Sequence, residues 1–175
     1  MKTEFDFSFD RPVHGEELLG GTGQLPRASW VAKRIREDDI YFMQDGTFSQ
    51  LLFKEALNSF VAGQFIATIV LAFSLIERTV AGRLAFVGEK SAARAKSEIL
   101  LKGALERGWL RTEEHKLLDE LRELRNPIVH FRDHLSDTRP EVRAALSART
   151  TEQVLEVDAK QILEAAIHVL QKTAL

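Results

Sequence analysis

The segment Arg125-Asn126-Pro127-Ile128-Val129-His130 brings together the side chains best suited to chemistry in this 175-residue chain. Histidine titrates near neutrality, so it can give or take a proton. Arginine keeps its charge and grips a phosphate through paired hydrogen bonds. Asparagine can orient either group or hold a substrate. Together these types suit phosphodiester cleavage. RNA carries its own nucleophile, the 2′-hydroxyl, so one base, one acid and one cation suffice without a metal. No His, Asp or Glu cluster with metal-ligand spacing competes for the role, and no cofactor is expected.

Two local geometries are open. In one, the helix continues and Pro127 kinks it, freeing the carbonyl of Glu123. In the other, one helix ends near Arg125 and a second begins, with Asn126 as its cap and Pro127 at its first position. In a helical turn Asn126 and His130 share a face. Arg125 and His130 lie about 140° apart around an ideal helix, so the arginine must bend back to meet the imidazole.

The rest of the chain must position this segment. Its hydrophobic fraction is 45% and its net charge is -2, which fits a globular domain and argues against coating nucleic acid through bulk charge. There is no cysteine, so disulfides, thiol catalysis and cysteine-bound zinc are excluded. Acids at Glu4, Asp6 and Asp10 with no apolar run argue against a signal peptide, and the protein is expected in the cytoplasm. Residues 56–76 carry no charge over about the length of a membrane span. Polar residues interrupt them and Glu77-Arg78 follow at once, so two core helices meeting at Gly63, and no membrane contact, are expected.

Residues 1–46 read as an N-terminal arm that packs on the domain or on a partner subunit, or equally as a partly disordered leader. They include the loop Gly20-Gly21-Thr22-Gly23 and the alternating Phe5, Phe7 and Phe9, and Trp30 to Met43 suggest one helix. Residues 47–175 read as a helical domain. Thr47-Phe48-Ser49-Gln50 has the pattern of a capping box, opening a helix to about Ala62. A very apolar helix follows from Gln64 to Phe86 and must lie in the centre of a bundle. Ser91 is the expected cap of a third helix that stops near Gly108. Thr112 starts a fourth, striped with Leu117, Leu118, Leu121 and Leu124. Asp158 is the expected cap of the last helix. The fold class is therefore all-α, an up-and-down bundle of four to five helices with an N-terminal arm.

In this setting Arg125-Asn126-x-x-x-His130 resembles the motif of HEPN domains, and the resemblance covers roughly residues 48 to 172 by helix order. Phe53-Lys54-Glu55-Ala56 through Gly63-Gln64-Phe65, then Leu75-Ile76-Glu77-Arg78, also resembles the first two helices of such domains. The resemblance implies a metal-independent endoribonuclease of the toxin or phage-defence kind. It implies an RNA substrate, a homodimer with two motifs facing one cleft, and an antitoxin or other regulatory partner. By the same carry-over Arg125 binds the phosphate, Asn126 supports it, His130 transfers a proton and Glu77 supports the arginine. The long arm departs from the minimal domain.

Simpler roles stand beside these. His130 could be an ordinary surface or core histidine, Arg125 a helix-end cation and Asn126 a cap. Arg122, Arg132 and His134 are candidate RNA-binding residues. With Arg139, Arg143 and Arg149 they could extend a positive path, but they alternate with Glu123, Asp133, Asp137 and Glu141 as a solvated face would. The alternative function is a non-catalytic helical interaction or regulatory module, in the manner of mannitol-repressor proteins of similar helix order.

Overall fold

The computed structural model describes residues 23–35, 46–133 and 136–173. Every regular element among them is helical, and no strand occurs there. The elements are α1 (Gln24–Ala32), α2 (Thr47–Val61), α3 (Phe65–Phe86), a 3-10 turn (Lys90–Arg94), α4 (Ser97–Glu106), α5 (Thr112–Val129), α6 (Pro140–Leu146) and α7 (Thr151–Thr173). Five of them, α2 to α5 and α7, answer to the helices expected from apolar spacing. The others are α1, whose final turn carries Trp30, and α6, which forms inside the arginine-rich stretch between the fourth and last expected helices.

The apolar helix α3 is the centre, packing most extensively against α7 and α2. It buries Phe65, Ile69, Ala72, Phe73, Leu75, Ile76, Val80 and Leu84. Each large side chain of this kind removed from water contributes about 2 kcal/mol, which ranks this helix above any surface ion pair as a source of stability. The partners on α7 are Ile162, Leu163, Ala166 and Leu170, all in the same core. Gly63 separates α2 from α3 with φ at 79°, a left-handed turn that suits glycine. The α2–α3 break is thus where the sequence puts it, and half of the most apolar window of α3 is buried among helices.

Several helix ends differ from expectation. Gly46, not Thr47, is the N-cap of α2, and no side chain caps it, so the expected box at Thr47 does not form. Between Gly88 and α4 the chain makes a 3-10 turn, so Ser91 caps no α-helix; its hydroxyl donates to Glu89 Oε1 at 3.4 Å. Arg111 rather than Thr112 stands at the N-cap of α5, where its N–H donates to Glu114 Oε2 at 2.8 Å. The last helix starts seven residues before Asp158. Its capping box is Thr150-Thr151-Glu152-Gln153: Gln153 N–H donates to Thr150 Oγ1 at 3.1 Å and Thr150 N–H to Gln153 Oε1 at 3.0 Å. Asp158 is instead buried in the middle of α7, where Arg143 of α6 donates to both its oxygens.

Trp30 of α1 packs on Phe60 at a tilt, with ring centroids 5.0 Å apart. Arg27 donates to Val61 O at 3.0 Å, and Arg34 pairs with Glu164 at 3.1 Å. This part of the N-terminal region therefore packs on α2 and α7 of its own chain. The aromatic alternation at Phe5, Phe7 and Phe9 and most of the stretch from Trp30 to Met43 lie outside the described residues.

Candidate active site

Helix α5 continues through Pro127 to Val129. Proline is tolerated here because it stands near the C-terminal end, where it deprives only the Glu123 carbonyl of a donor. The first of the two geometries is therefore the observed one, and Asn126 starts no new helix. His130 is the C-cap: its backbone is extended (φ -128°, ψ 138°), and its N–H still donates to Asn126 O at 2.9 Å. The imidazole thus leaves the helix at its last hydrogen-bonded residue, and His130 is exposed.

The inner stripe of α5 runs Leu118, Leu121, Arg125. A charged residue at a core-facing position must be paired or cost several kcal/mol. Arg125 has 14% of its side chain exposed, and its Nη2 donates to Glu77 Oε1 at 2.5 Å. Its guanidinium also lies over the ring of Phe73, 4.8 Å from the centroid. Phe73 and Glu77 are four apart on α3, so one face of that helix supplies both contacts. Ser97, the first residue of α4, donates its hydroxyl to the same oxygen of Glu77. Helix α3 thus holds the guanidinium of α5 directly, and α4 holds Glu77 in turn. The arginine reaches toward Glu77, and no contact with the imidazole of His130 is seen among the described residues, contrary to the bend expected from spacing.

These groups open on one cleft of about 580 Å³, lined by Glu77, Arg78, Lys96, Ser97, Glu98, Arg122, Arg125, Asn126, His130 and Arg132 together with small apolar residues. The cleft is the structural counterpart of the motif: Arg125, Asn126, His130 and Glu77 meet in it, and so do Arg122 and Arg132. Their availability differs. Arg122 is bonded to Asp119 at 2.8 Å and Glu123 at 2.7 Å. No ion pair engages Arg132, Lys96 or the ring of His130 among the described residues. Asn126 is only 8% exposed, and no partner for its side chain is found among them either. His134 lies outside the described residues.

The rest of the supposed positive path dissolves into local pairs. Arg139 is bonded to Glu141 at 3.1 Å and Arg143 to the buried Asp158. Neither lines the cleft, and nor does Arg149. Sequence reasoning missed Ser97 and Lys96, because Ser91 attracted the reading as a helix cap six residues too early. It also missed Phe73, which any periodicity argument places in the core. Among the described residues no group of three or more His, Asp or Glu side chains gathers as a metal site would require.

A second charged cluster lies at the far end of α5. Glu114 accepts hydrogen bonds from Arg111, from His168 Nε2 at 3.1 Å and from Lys172 at 2.5 Å. Burial pushes its carboxyl up, but the bonds from the Arg111 amide, Lys172, the Arg111 guanidinium and His168 outweigh this and hold it well below the usual carboxylate range. This cluster ties α5 to α7.

No family model, no curated protein and no solved structure matches this chain.

Proposed function

We propose that this protein is an endoribonuclease of the HEPN kind that cleaves RNA without a metal. The 2′-oxygen attacks the adjacent phosphorus, the bond to the 5′-oxygen breaks, and a 2′,3′-cyclic phosphate is left. Arg125 binds the phosphate and stabilises the charge that builds on it. Asn126 orients it, and His130 exchanges a proton with the 2′-hydroxyl or the leaving oxygen. Glu77 holds the arginine in place. Arg132 binds flanking backbone, with His134 as a further candidate, whereas Arg122 contributes less because its own acids occupy it. One imidazole serves one proton transfer, and in a homodimer with two motifs on one cleft the same histidine of a second copy serves the other. The activity belongs in the cytoplasm, as a toxin or phage-defence effector restrained by an antitoxin or another regulatory protein.

The single observation that carries this reading is the cleft itself. An arginine held by Glu77 and the ring of Phe73, a mostly covered asparagine and an exposed histidine share one opening. Expression in a bacterial host tests it. The wild-type protein should arrest growth, and His130→Ala should relieve the arrest at equal protein level. Arrest by both alike would remove His130 from the account.

A non-catalytic interaction module remains the second reading. It is favoured by the large apolar side chains left on the surface, chiefly Phe86, Phe131 and Leu146.

A further inference from the structure

We infer that Phe48 and Arg78 form a platform on which an unpaired base of the RNA stacks, beside the scissile phosphate. The inference rests on the ribonuclease reading and extends it to α2, outside the motif. Phe48 is 54% exposed and takes no place in the core. Its neighbours Ser49 and Leu52 turn inward instead. The ring packs against Arg78 of α3, whose guanidinium lies over it 4.5 Å from the centroid. Guanidinium and phenyl ring both present flat faces, and such faces stack on nucleobases. About half of Phe48 stays open to solvent beside that contact.

Arg78 ties this stack to the cleft. It directly follows Glu77, the acid that holds Arg125, and lines the cleft with it. It also lines a groove of about 280 Å³ that continues along α3 over Ala81, Gly82, Ala85 and Ala93. Those small side chains leave the path open, so a strand held at Arg125 can run on past the stack. The stack begins one residue from the Glu77–Arg125 pair, within reach of the nucleotide next to the scissile phosphate. Arginine and lysine outnumber acids in the cleft lining by five to two, although the chain carries a net charge of -2. The phosphate backbone is drawn to those cations, and the base is left to the aromatic face. A base inside a duplex has its faces covered by its neighbours, whereas one splayed from a loop or an end stacks on an aromatic or arginine side chain. The ligand of the platform is therefore a single strand.

Calorimetry on the full chain with 2′-O-methyl tetranucleotides, which cannot be cleaved, tests this. One ligand carries every base; each of the others lacks the base at one position. For wild type, loss of the base at one position should weaken binding about tenfold, within the range for a single stacked base. Phe48→Leu should weaken the complete ligand by the same factor and make that position indifferent. Its salt slope should stay that of wild type, because no phosphate contact is lost. Phe48→Trp should restore the dependence on the base. A wild type indifferent to the loss of any single base would overturn the platform and leave the ribonuclease reading in place. A base dependence that survives Phe48→Leu would do the same. A change from dimer to monomer on Phe48→Leu in sedimentation would assign the ring to a contact between copies and also overturn the platform. Failure of every tetranucleotide to bind would overturn the ribonuclease reading with it. Phe48 lies outside the core, and a matched thermal melt checks that the variant is folded.

Discussion

Arg125 on α5 and Glu77 on α3, 48 residues apart in sequence, meet at 2.5 Å on the wall of the cleft. Neither side chain is freely solvated: the arginine is 14% exposed and the glutamate 26%. The charge pair and the face of Phe73 restrict the guanidinium, and the hydroxyl of Ser97 fixes Glu77 in turn. Such pre-organisation is what phosphate binding needs, because less side-chain entropy is lost when the ligand arrives.

Glu77→Gln keeps the shape and removes the charge. It should cost about 1–2 kcal/mol in urea unfolding, since a charge-assisted bond to a largely covered cation becomes a neutral one. Arg122→Gln offers the contrast. Arg122 is itself 20% exposed, but its partners Asp119 and Glu123 are about half exposed and solvent screens the pairs, so its effect should stay below about 1 kcal/mol.

Asn126→Ala should separate stability from function. With no partner seen for the amide among the described residues, little is lost on removing it, and the melt should move by less than about 1 kcal/mol. RNA cleavage should fall at least tenfold, the value of one good polar contact at the phosphate. A variant that loses stability by several kcal/mol would assign Asn126 to structure.

Asp158→Ala tests the tie between α6 and α7. The aspartate is nearly fully buried and accepts from both terminal nitrogens of Arg143, whose Nε is already without a partner. Removing the acid leaves a half-buried guanidinium uncompensated and should cost about 3 kcal/mol in chemical unfolding. Cleavage measured well below the midpoint should be unaffected, because neither residue lines the cleft.

The acid limb of the stability curve should depend on Glu114. Its carboxyl is held below the ordinary value of 4.5 in the folded chain, so the unfolded chain binds the proton more readily. The stabilisation it provides is complete above that ordinary value and is lost as pH falls below it toward the folded value. Thermal melts should therefore show Glu114→Gln destabilised at pH 6 and the difference from wild type shrinking as the pH is lowered below about 4. A constant difference across that range would contradict the assignment.

The sequence is informative wherever a local rule governs. Gly63 ends α2 because a left-handed residue is needed there, and the apolar run of α3 can only be a central helix. Arg125, Asn126 and His130 could be read as a site because they end a striped helix, whereas Glu77 came only from the family resemblance, since no spacing fixes it. Other features depend on packing that no local rule encodes. Asp158 has the look of a cap, yet its partner Arg143 is fifteen residues back on a helix too short to stand out. The true cap, Thr150 with Gln153, fits the pattern but is hidden in an arginine-rich stretch. Pro127 normally argues for a helix boundary, and the helix passes it because only two residues remain. Lys96 and Ser97 reach the cleft through the 3-10 turn, which positions α4 against α3 and α5.

The most direct measurement is cleavage of a defined RNA by the purified protein with EDTA present, beside His130→Ala of matched circular dichroism. The account predicts cleavage by the wild type alone, with 2′,3′-cyclic phosphate ends. Cleavage by neither protein across several RNAs would contradict it, and Arg125, Asn126 and His130 would then be parts of a helix end in an interaction module.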